Sequence, residues 1–297
     1  MEKIKFDRFI IKDLDKIKKK AYYEILQDPS IKEFIQKNNI NESVVYENLG
    51  YFITYLENKD FCNDCDGYFN CKSTNPGFVC ELVYDERTKQ INIHYRTCDK
   101  YIQILRQKQG FLFYEYDQSL FDERLRNQVD ITKSRKEVLS RIGSILNKKD
   151  VKGMYVYGKS GVGKSYLLAI MANGVVESGR TCAFISSSTL IDHLRTLLID
   201  DNALFNEEIN KYKNVEVLII DDLGGEKTTV WARDEVLFSI IDYRSKNKDL
   251  ITCFTSNYSM DEYQRAIFLG DAKKAERLVN RISLVADEME LIDIDRR

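Results

Sequence analysis

Hydrophobic positions along this chain change rhythm three times. Up to about residue 58 they recur at helical spacing, with helix-opening punctuation: Asp28-Pro29-Ser30 precedes IKEFIQKN, and Asn41-Glu42-Ser43 precedes VVYENLGYFITYLEN. From Phe61 to Cys98 the texture turns to cysteines, glycines and turn residues, then to two alternating runs, FVCELVY and INIHYR, either side of DERTKQ. That is a hairpin signature. Residues 99 to about 130 are charged and weakly periodic, which places an interdomain connection there. Beyond Thr132 a helix through VLSRIGSIL leads into strand-then-helix alternation, the strands being MYVYG, CAFISSS, VEVLIID, LITCFTS and finally MELIDI. Five apolar strands with helical crossovers predict a parallel, doubly wound sheet covered on both faces. The expected organisation is a helical and β-hairpin domain over 1–103, a linker over 104–130 and an α/β core over 131–297.

Composition narrows this picture only a little. With 43% hydrophobic and 31% charged residues among 297, the chain reads as an ordinary globular protein. No apolar run is long enough for a membrane span, and the charged N-terminal stretch lacks a signal-peptide core, so the expected location is the cytoplasm, with no membrane partner. A net charge of −2 gives no bulk attraction for nucleic acid, so any such contact has to be a local patch.

Five of the seven cysteines, Cys62, Cys65, Cys71, Cys80 and Cys98, crowd into one segment. In a reducing compartment that crowding favours a metal site over disulfides. Cys62-x2-Cys65-x5-Cys71 suits a structural Zn²⁺, with Cys98 as fourth ligand and Cys80 as the alternative. His94 alternates within a strand and reads as an ordinary strand residue; His193 has no evident role. Cys182 and Cys253, inside apparent strands, read as small buried residues.

The sharpest chemical signal is GKSGVGKS, which fits G-x-x-x-x-G-K-[ST], follows a strand and opens the helical run YLLAIMANGV. Gly158, Lys159, Ser160, Gly161, Val162 and Gly163 supply a backbone cradle for a polyphosphate. Lys164 reaches the β/γ phosphates of ATP, Ser165 ligates Mg²⁺, and Tyr166 begins the helix. Farther on, VLIIDDLGGE brings Asp221 and Asp222 to the C-terminal end of a strand, where ligands of such folds bind. Asp221 is placed for the Mg²⁺ shell and Asp222 for the attacking water. Asp222 is one methylene shorter than glutamate, which predicts slow hydrolysis that rises when partners tighten the site. After the next strand, Asn257 is placed to orient water or sense the γ-phosphate. In KKAERLVNRIS, Arg277 and Arg281 share a helix face and suit an arginine donated to a neighbour's nucleotide. Only sixteen residues follow Arg281 in this sequence, too few for a helical lid domain.

Together YVYGKSGVGKSYLLAIMAN, LIIDDLGGEKTTVWARDEVLFSIIDYR, FTSN, KAERLVNRI, the terminal DRR, CNDC-x5-C and INIHYRTC resemble bacterial replicative helicase loaders of the DnaI/DnaC type. The TTVWARDEVL stretch discriminates best, since a P-loop alone names only a superfamily. The resemblance implies an AAA+ ATPase core and an N-terminal zinc-containing domain that docks on the hexameric, DnaB-type helicase. It makes Gly158 to Ser165 Walker A, Asp221 and Asp222 Walker B, and Asn257 sensor 1. It makes Arg277 the arginine finger, Arg281 the second box arginine and Arg296 a sensor 2. It further implies self-association through the core and contact with single-stranded DNA, for which Arg244, Lys246 and Lys248 are the available cluster. The rivals are a transposition ATPase of the IstB type, which normally lacks the Cys-rich front, and a nucleotide-gated adaptor with incidental hydrolysis.

Overall fold

A computed structural model describes residues 11–63, 65–127, 132–148 and 152–296, with the side chains of 11–15, 107 and 200 excepted. The first ten residues, the end of the expected linker and Arg297 of the terminal DRR therefore lie outside the described residues. The chain divides into two compact units, Met1–Ile104 and Leu105–Arg297.

In the first unit, α1 (Ile11–Ile25), α2 (Pro29–Lys37), α3 (Glu42–Glu47) and α4 (Leu49–Asn63) precede a hairpin of β1 (Phe78–Asp85) and β2 (Gln90–Thr97). Helix α2 starts where the sequence puts it: the Asp28 carboxylate accepts from the backbone N–H groups of Ser30 and Ile31, and proline occupies the first turn, where no donor is needed. The single helix expected over 44–58 is instead two. It breaks at Asn48, whose side-chain amide donates to the Val44 carbonyl. The hairpin is antiparallel, from Phe78 opposite Thr97 to Asp85 opposite Gln90, and Asp85 closes its turn by accepting from Arg87 N–H. Ile25, Ile31, Val45, Leu49, Phe52 and Ile91 form the buried centre of this unit.

In the second unit, α5 (Asp99–Gly110) runs in across the division and leads to β3 (Phe111–Tyr114). Helix α6 (Lys133–Leu146) opens on the Thr132 hydroxyl, which accepts from Arg135 N–H. Then come β4 (Gly153–Tyr157), α7 (Lys164–Glu177), β5 (Cys182–Ser186), α8 (Ser187–Asp200), α9 (Asn202–Asn214) and β6 (Val217–Leu223). A π-helical turn over Ala232–Leu237 continues into α10 (Phe238–Arg244), followed by β7 (Ile251–Ser256), α11 (Met260–Ala266), α12 (Ala272–Val285) and β8 (Ala286–Glu290). All described pairings in this sheet are parallel, in the order β3-β5-β6-β7-β4-β8.

The sheet thus has six strands rather than the expected five, and two readings need correction. FLFY at 111–114 falls within the expected linker, but Gly110 ends α5 and lets this short aromatic run pair with β5 at the sheet edge. Residues 105–127 consequently fold with the second unit instead of forming a connection. The last strand is ADEME rather than MELIDI. As the opposite edge strand, beside β4, it exposes one face, so its polar alternation is what an edge requires and its hydrophobicity is low.

The sheet is buried on both faces. Leu218 and Ile220 join residues of α8, α10 and α12 in one core cluster, while Val217 and Ile219 point the other way by strand alternation and are equally buried. Each such fully buried aliphatic side chain contributes about 1.5–3 kcal/mol. Helix α7 is buried along most of its length, from Leu167 through Val176, which suits a helix enclosed by its own domain.

Candidate functional site

Strand order builds the site. Strand β7 lies between β4 and β6, so the residue that follows β7, Asn257, falls between the loop after β4 and the acids at the end of β6. The loop after β4 is the Gly158–Ser165 segment. Gly158 has φ 150°, and a Cβ there would lie 2.4 Å from the Leu291 carbonyl oxygen, so only glycine fits. Gly163 caps α7, whose N-terminal N–H groups face a cleft of about 500 Å³. Ser160, Gly161, Gly163, Lys164, Ser165 and Tyr166 line it, together with Asp221, Asp222, Thr255, Asn257 and Arg296. Val162 is buried beneath, and Lys159 contributes its carbonyl group.

Lys164 is 7% exposed, and its ammonium group donates to Gly158 O (2.8 Å), Lys159 O (3.0 Å) and Asn257 Oδ1 (2.9 Å). Its three hydrogens are therefore directed at acceptors that phosphate oxygens can replace. Burial pulls its pKa down, against the opposing pull of Asp222 and Asp221. Asp221 is pushed up by burial; hydrogen bonds from the Thr255 and Ser165 hydroxyls and the charge of Lys164 oppose the shift, and Asp222 adds to it. A carboxylate held up in this way gains from a nearby cation. The Thr255 hydroxyl donates to Asp221 Oδ1 (2.5 Å) and accepts from the Asp222 backbone N–H (2.9 Å), while Asn257 Nδ2 donates to Asp222 Oδ1 (3.2 Å). Asn257 thus touches both Lys164 and Asp222.

A buried brace behind the loop escaped the sequence reading. Arg135 of α6 directs one guanidinium nitrogen to Val162 O and to Asp293 Oδ2, each at 3.4 Å. Both side chains are almost fully buried, at 2% and 1% exposure. The same Asp293 accepts from Arg296, whose backbone N–H donates to Gly161 O (2.9 Å). Arg296, anticipated as a sensor, is thereby brought to the cleft by the segment after β8. Partners 158 positions apart leave no local signal for sequence analysis to find.

Arg277 and Arg281 are not among the residues lining this cleft. Arg277 is exposed, its guanidinium 4.0 Å from the Phe238 ring centroid, and Arg281 pairs with Asp242 at 2.6 Å. The cluster suggested for DNA contact also needs correction. Arg244 is fully buried and donates to Thr252 Oγ1 and to the carbonyls of Tyr212, Lys213, Val215, Glu216 and Ile251. It ties the ends of β6 and β7 to α9 and presents nothing to a nucleic acid, while Lys246 pairs with Asp242.

In the first unit, Cys62 ends α4, Cys65 and Cys71 lie in the loop that follows, and Cys98 follows β2. Burial pushes the Cys62 thiol up, and Cys65, Cys71 and Cys98 add to the shift, so these sulfurs share one electrostatic neighbourhood. Cys80 is buried and also lies within reach of Cys62 electrostatically. Among the described residues, however, no three His, Cys, Asp or Glu side chains come together as a group that holds a metal. His94 sits in β2, and His193 lies 3.5 Å from Glu208.

A family model described as IstB-like ATP binding protein matches residues 118–294. The chain belongs to this ATP-binding family. Its front matches a second model, described as Primosomal protein DnaI N-terminus, over residues 1–95. The chain is 29% identical over 300 residues to the replicative helicase loader DnaI of Bacillus subtilis (strain 168), covering 96% of this chain and 94% of that protein. It is also similar to the replicative helicase loader DnaC of Escherichia coli (strain K12), at 24% over 127 residues, covering 43% of this chain and 48% of DnaC. Among solved structures, a crystal structure of DnaI superposes with TM-score 0.55 at 28% identity, covering 65% of this chain and all of that one. A putative primosome component from Streptococcus pyogenes serotype M3 superposes with TM-score 0.51 at 33% identity, covering 65% and 98%. The resemblance to DnaI therefore holds along nearly the whole chain, and that to DnaC over less than half of it.

Proposed function

We propose that this ATP-binding protein is a replicative helicase loader: it binds the hexameric DNA helicase through its first unit and places it on single-stranded DNA. The observation that carries this reading is the convergence of Lys164, Asp221, Asp222 and Asn257 on one cleft, in a chain whose front matches the primosomal DnaI N-terminus. A transposition ATPase of the IstB type accounts for the back of the chain alone, so the match over residues 1–95 supports the loader.

With ATP in the cleft, Lys164 exchanges the Gly158 and Lys159 carbonyls for phosphate oxygens. Ser165 and Asp221 would hold Mg²⁺; a hydroxyl and a carboxylate are the hard oxygen donors that ion takes, and Asp221 already leans towards needing a cation. When bound, Mg²⁺ supplies charge neutralisation across the phosphates. Asp222 accepts a proton from the attacking water or orients it, and Asn257, touching Lys164 and Asp222, reports the γ-phosphate to both. Arg277 and Arg281 serve a neighbour's cleft, which ties hydrolysis to self-association on the helicase. In the first unit, Cys62, Cys65, Cys71 and Cys98 would hold Zn²⁺, with Cys80 the alternative fourth ligand. Thiolates suit that ion, and the influence of Cys65, Cys71 and Cys98 on the Cys62 thiol supports the set.

Two variants test the reading. Lys164→Ala is expected to lose nucleotide binding and helicase loading together. Asp222→Asn is expected to bind ATP as the wild type does but to hydrolyse it about 10²–10⁴-fold more slowly. An Asp222→Asn protein that hydrolyses at the wild-type rate removes Asp222 from the chemistry. If that variant is slow yet loads helicase normally, ATP binding alone drives loading and the protein is a nucleotide-gated adaptor.

A further inference from the structure

Asp222 occupies an unusual backbone conformation, φ 49°, which a residue with a side chain adopts at a cost and keeps only where its surroundings enforce it. Thr255 and Asn257 hold its N–H group and its carboxylate, but they do not fix the turn that follows. That turn is held from below by Glu226. Its Oε2 accepts from the Gly224 backbone N–H and from the Ser187 hydroxyl, each at 2.7 Å, and the side chain is buried at 6% exposure. The fully buried Ser187 hydroxyl also lies 2.9 Å from the Asp222 carbonyl oxygen, so its one proton is within reach of both.

The two glycines between the acids complete the clamp. Gly224 has φ 93°, and a Cβ on Gly225 would sit 2.2 Å from Asp222 Oδ2, closer than any real contact. The carboxylate of Asp222 therefore rests in the space that a side chain at 225 would occupy. At the same turn the β6–β7 register slips between Ile220 and Leu223, so regular sheet pairing does not set the position of Asp222.

A buried carboxylate is costly unless it is well partnered. The Tyr263 hydroxyl is buried beside Glu226, and its phenol is pushed up first by burial and then by the Glu226 charge and a hydrogen bond with that side chain. A side chain serving packing alone would be better replaced here by an apolar one.

We propose that Glu226, with Ser187, is a positioning residue that holds the 222–225 turn so that Asp222 keeps its aim on the attacking water. This rests on the assignment of Asp222 above. Ser187 is the first residue of α8, so the clamp also joins the start of that helix to the carboxylate that governs turnover.

The test is single-turnover ATP hydrolysis by the full chain, read beside the affinity for a non-hydrolysable ATP analogue and thermal melting. Glu226→Ala is expected to slow hydrolysis by about 10-fold to 100-fold with analogue affinity within about twofold of wild type, because a misplaced catalytic group loses rate rather than binding. Glu226→Gln keeps an acceptor for Gly224 N–H and Ser187 and is expected to recover most of the rate. Ser187→Ala, a smaller change should Glu226→Ala fail to fold, is expected to slow hydrolysis about threefold to tenfold with unchanged affinity. Wild-type rates in Ser187→Ala and Glu226→Ala overturn the proposal, as does a Glu226→Gln protein as slow as Glu226→Ala, or a rate loss matched by an equal loss of affinity. The Asp222→Asn protein run in parallel separates the two levels: if it is unimpaired, the Asp222 assignment fails; if it is slow while the Glu226 and Ser187 variants are not, only the clamp fails.

Discussion

In the second unit, Ile220, Phe254, Leu278 and Ile282 are fully buried within a core that strands and helices share, and alternate strand residues are buried on the opposite face. In the first unit a handful of side chains around Ile31 and Phe52 do that work, and a few placed polar groups join them. There Lys59 reaches Asp28 at 2.8 Å, the carboxylate that also caps α2, and Ser73 donates to the buried Asn58. Four of its thiols, Cys62, Cys65, Cys71 and Cys98, share one electrostatic neighbourhood. A small unit with little core needs such staples, and losing one should be felt across it. A doubly covered sheet instead spreads its stability over many contacts and can accommodate a cleft that is built for chemistry at some cost to packing.

Metal removal should separate the two units most widely. If Zn²⁺ staples the thiol cluster, the purified protein contains about one equivalent by elemental analysis, and chelation unfolds residues 1–104 while leaving nucleotide binding intact. A circular dichroism spectrum and helicase binding that survive a metal-free preparation would remove the staple. The next effect belongs to the second unit. Arg244→Met leaves its carbonyl partners without a donor and is expected to cost on the order of 3 kcal/mol or more, read from denaturant unfolding of that unit. If Arg244→Met keeps full stability but loses DNA affinity, the burial assigned to Arg244 is wrong.

The smallest effect is in the first unit and depends on pH. Burial alone raises the Asp28 pKa, but hydrogen bonds from Lys59 and Ser30 outweigh it and bring the group from 3.8 down to about 2. A depressed folded pKa stabilises above the unfolded value, so the contribution is present above about pH 4, on the order of 2 kcal/mol, and fades as pH falls towards 2. Lys59→Met should remove much of that stability at neutral pH and little of it near pH 2. A destabilisation that is equal at both values would assign Lys59 a packing role only.

Residues whose meaning is local were legible in the sequence. The P-loop and the acids of β6 each work within a few positions, and the structure brings them to one cleft. FLFY was hidden because four residues carry too little periodicity to announce an edge strand. Arg135, Asp293 and Glu226 were hidden because what they do depends on partners far along the chain or on a turn whose conformation sequence does not display. Arg244 misled because a basic run looks like a surface patch until the helix carrying it is seen to turn one member inward.

Whether one unit grips a helicase while the other answers to nucleotide is tested most directly by co-purification of the full chain with the replicative helicase of its organism, with and without ATP. The full chain is expected to form a stable complex that the isolated residues 105–297 do not form, and that Lys164→Ala retains while losing its response to ATP. Failure of the full chain to bind the helicase, or equal binding by residues 105–297 alone, would contradict that division.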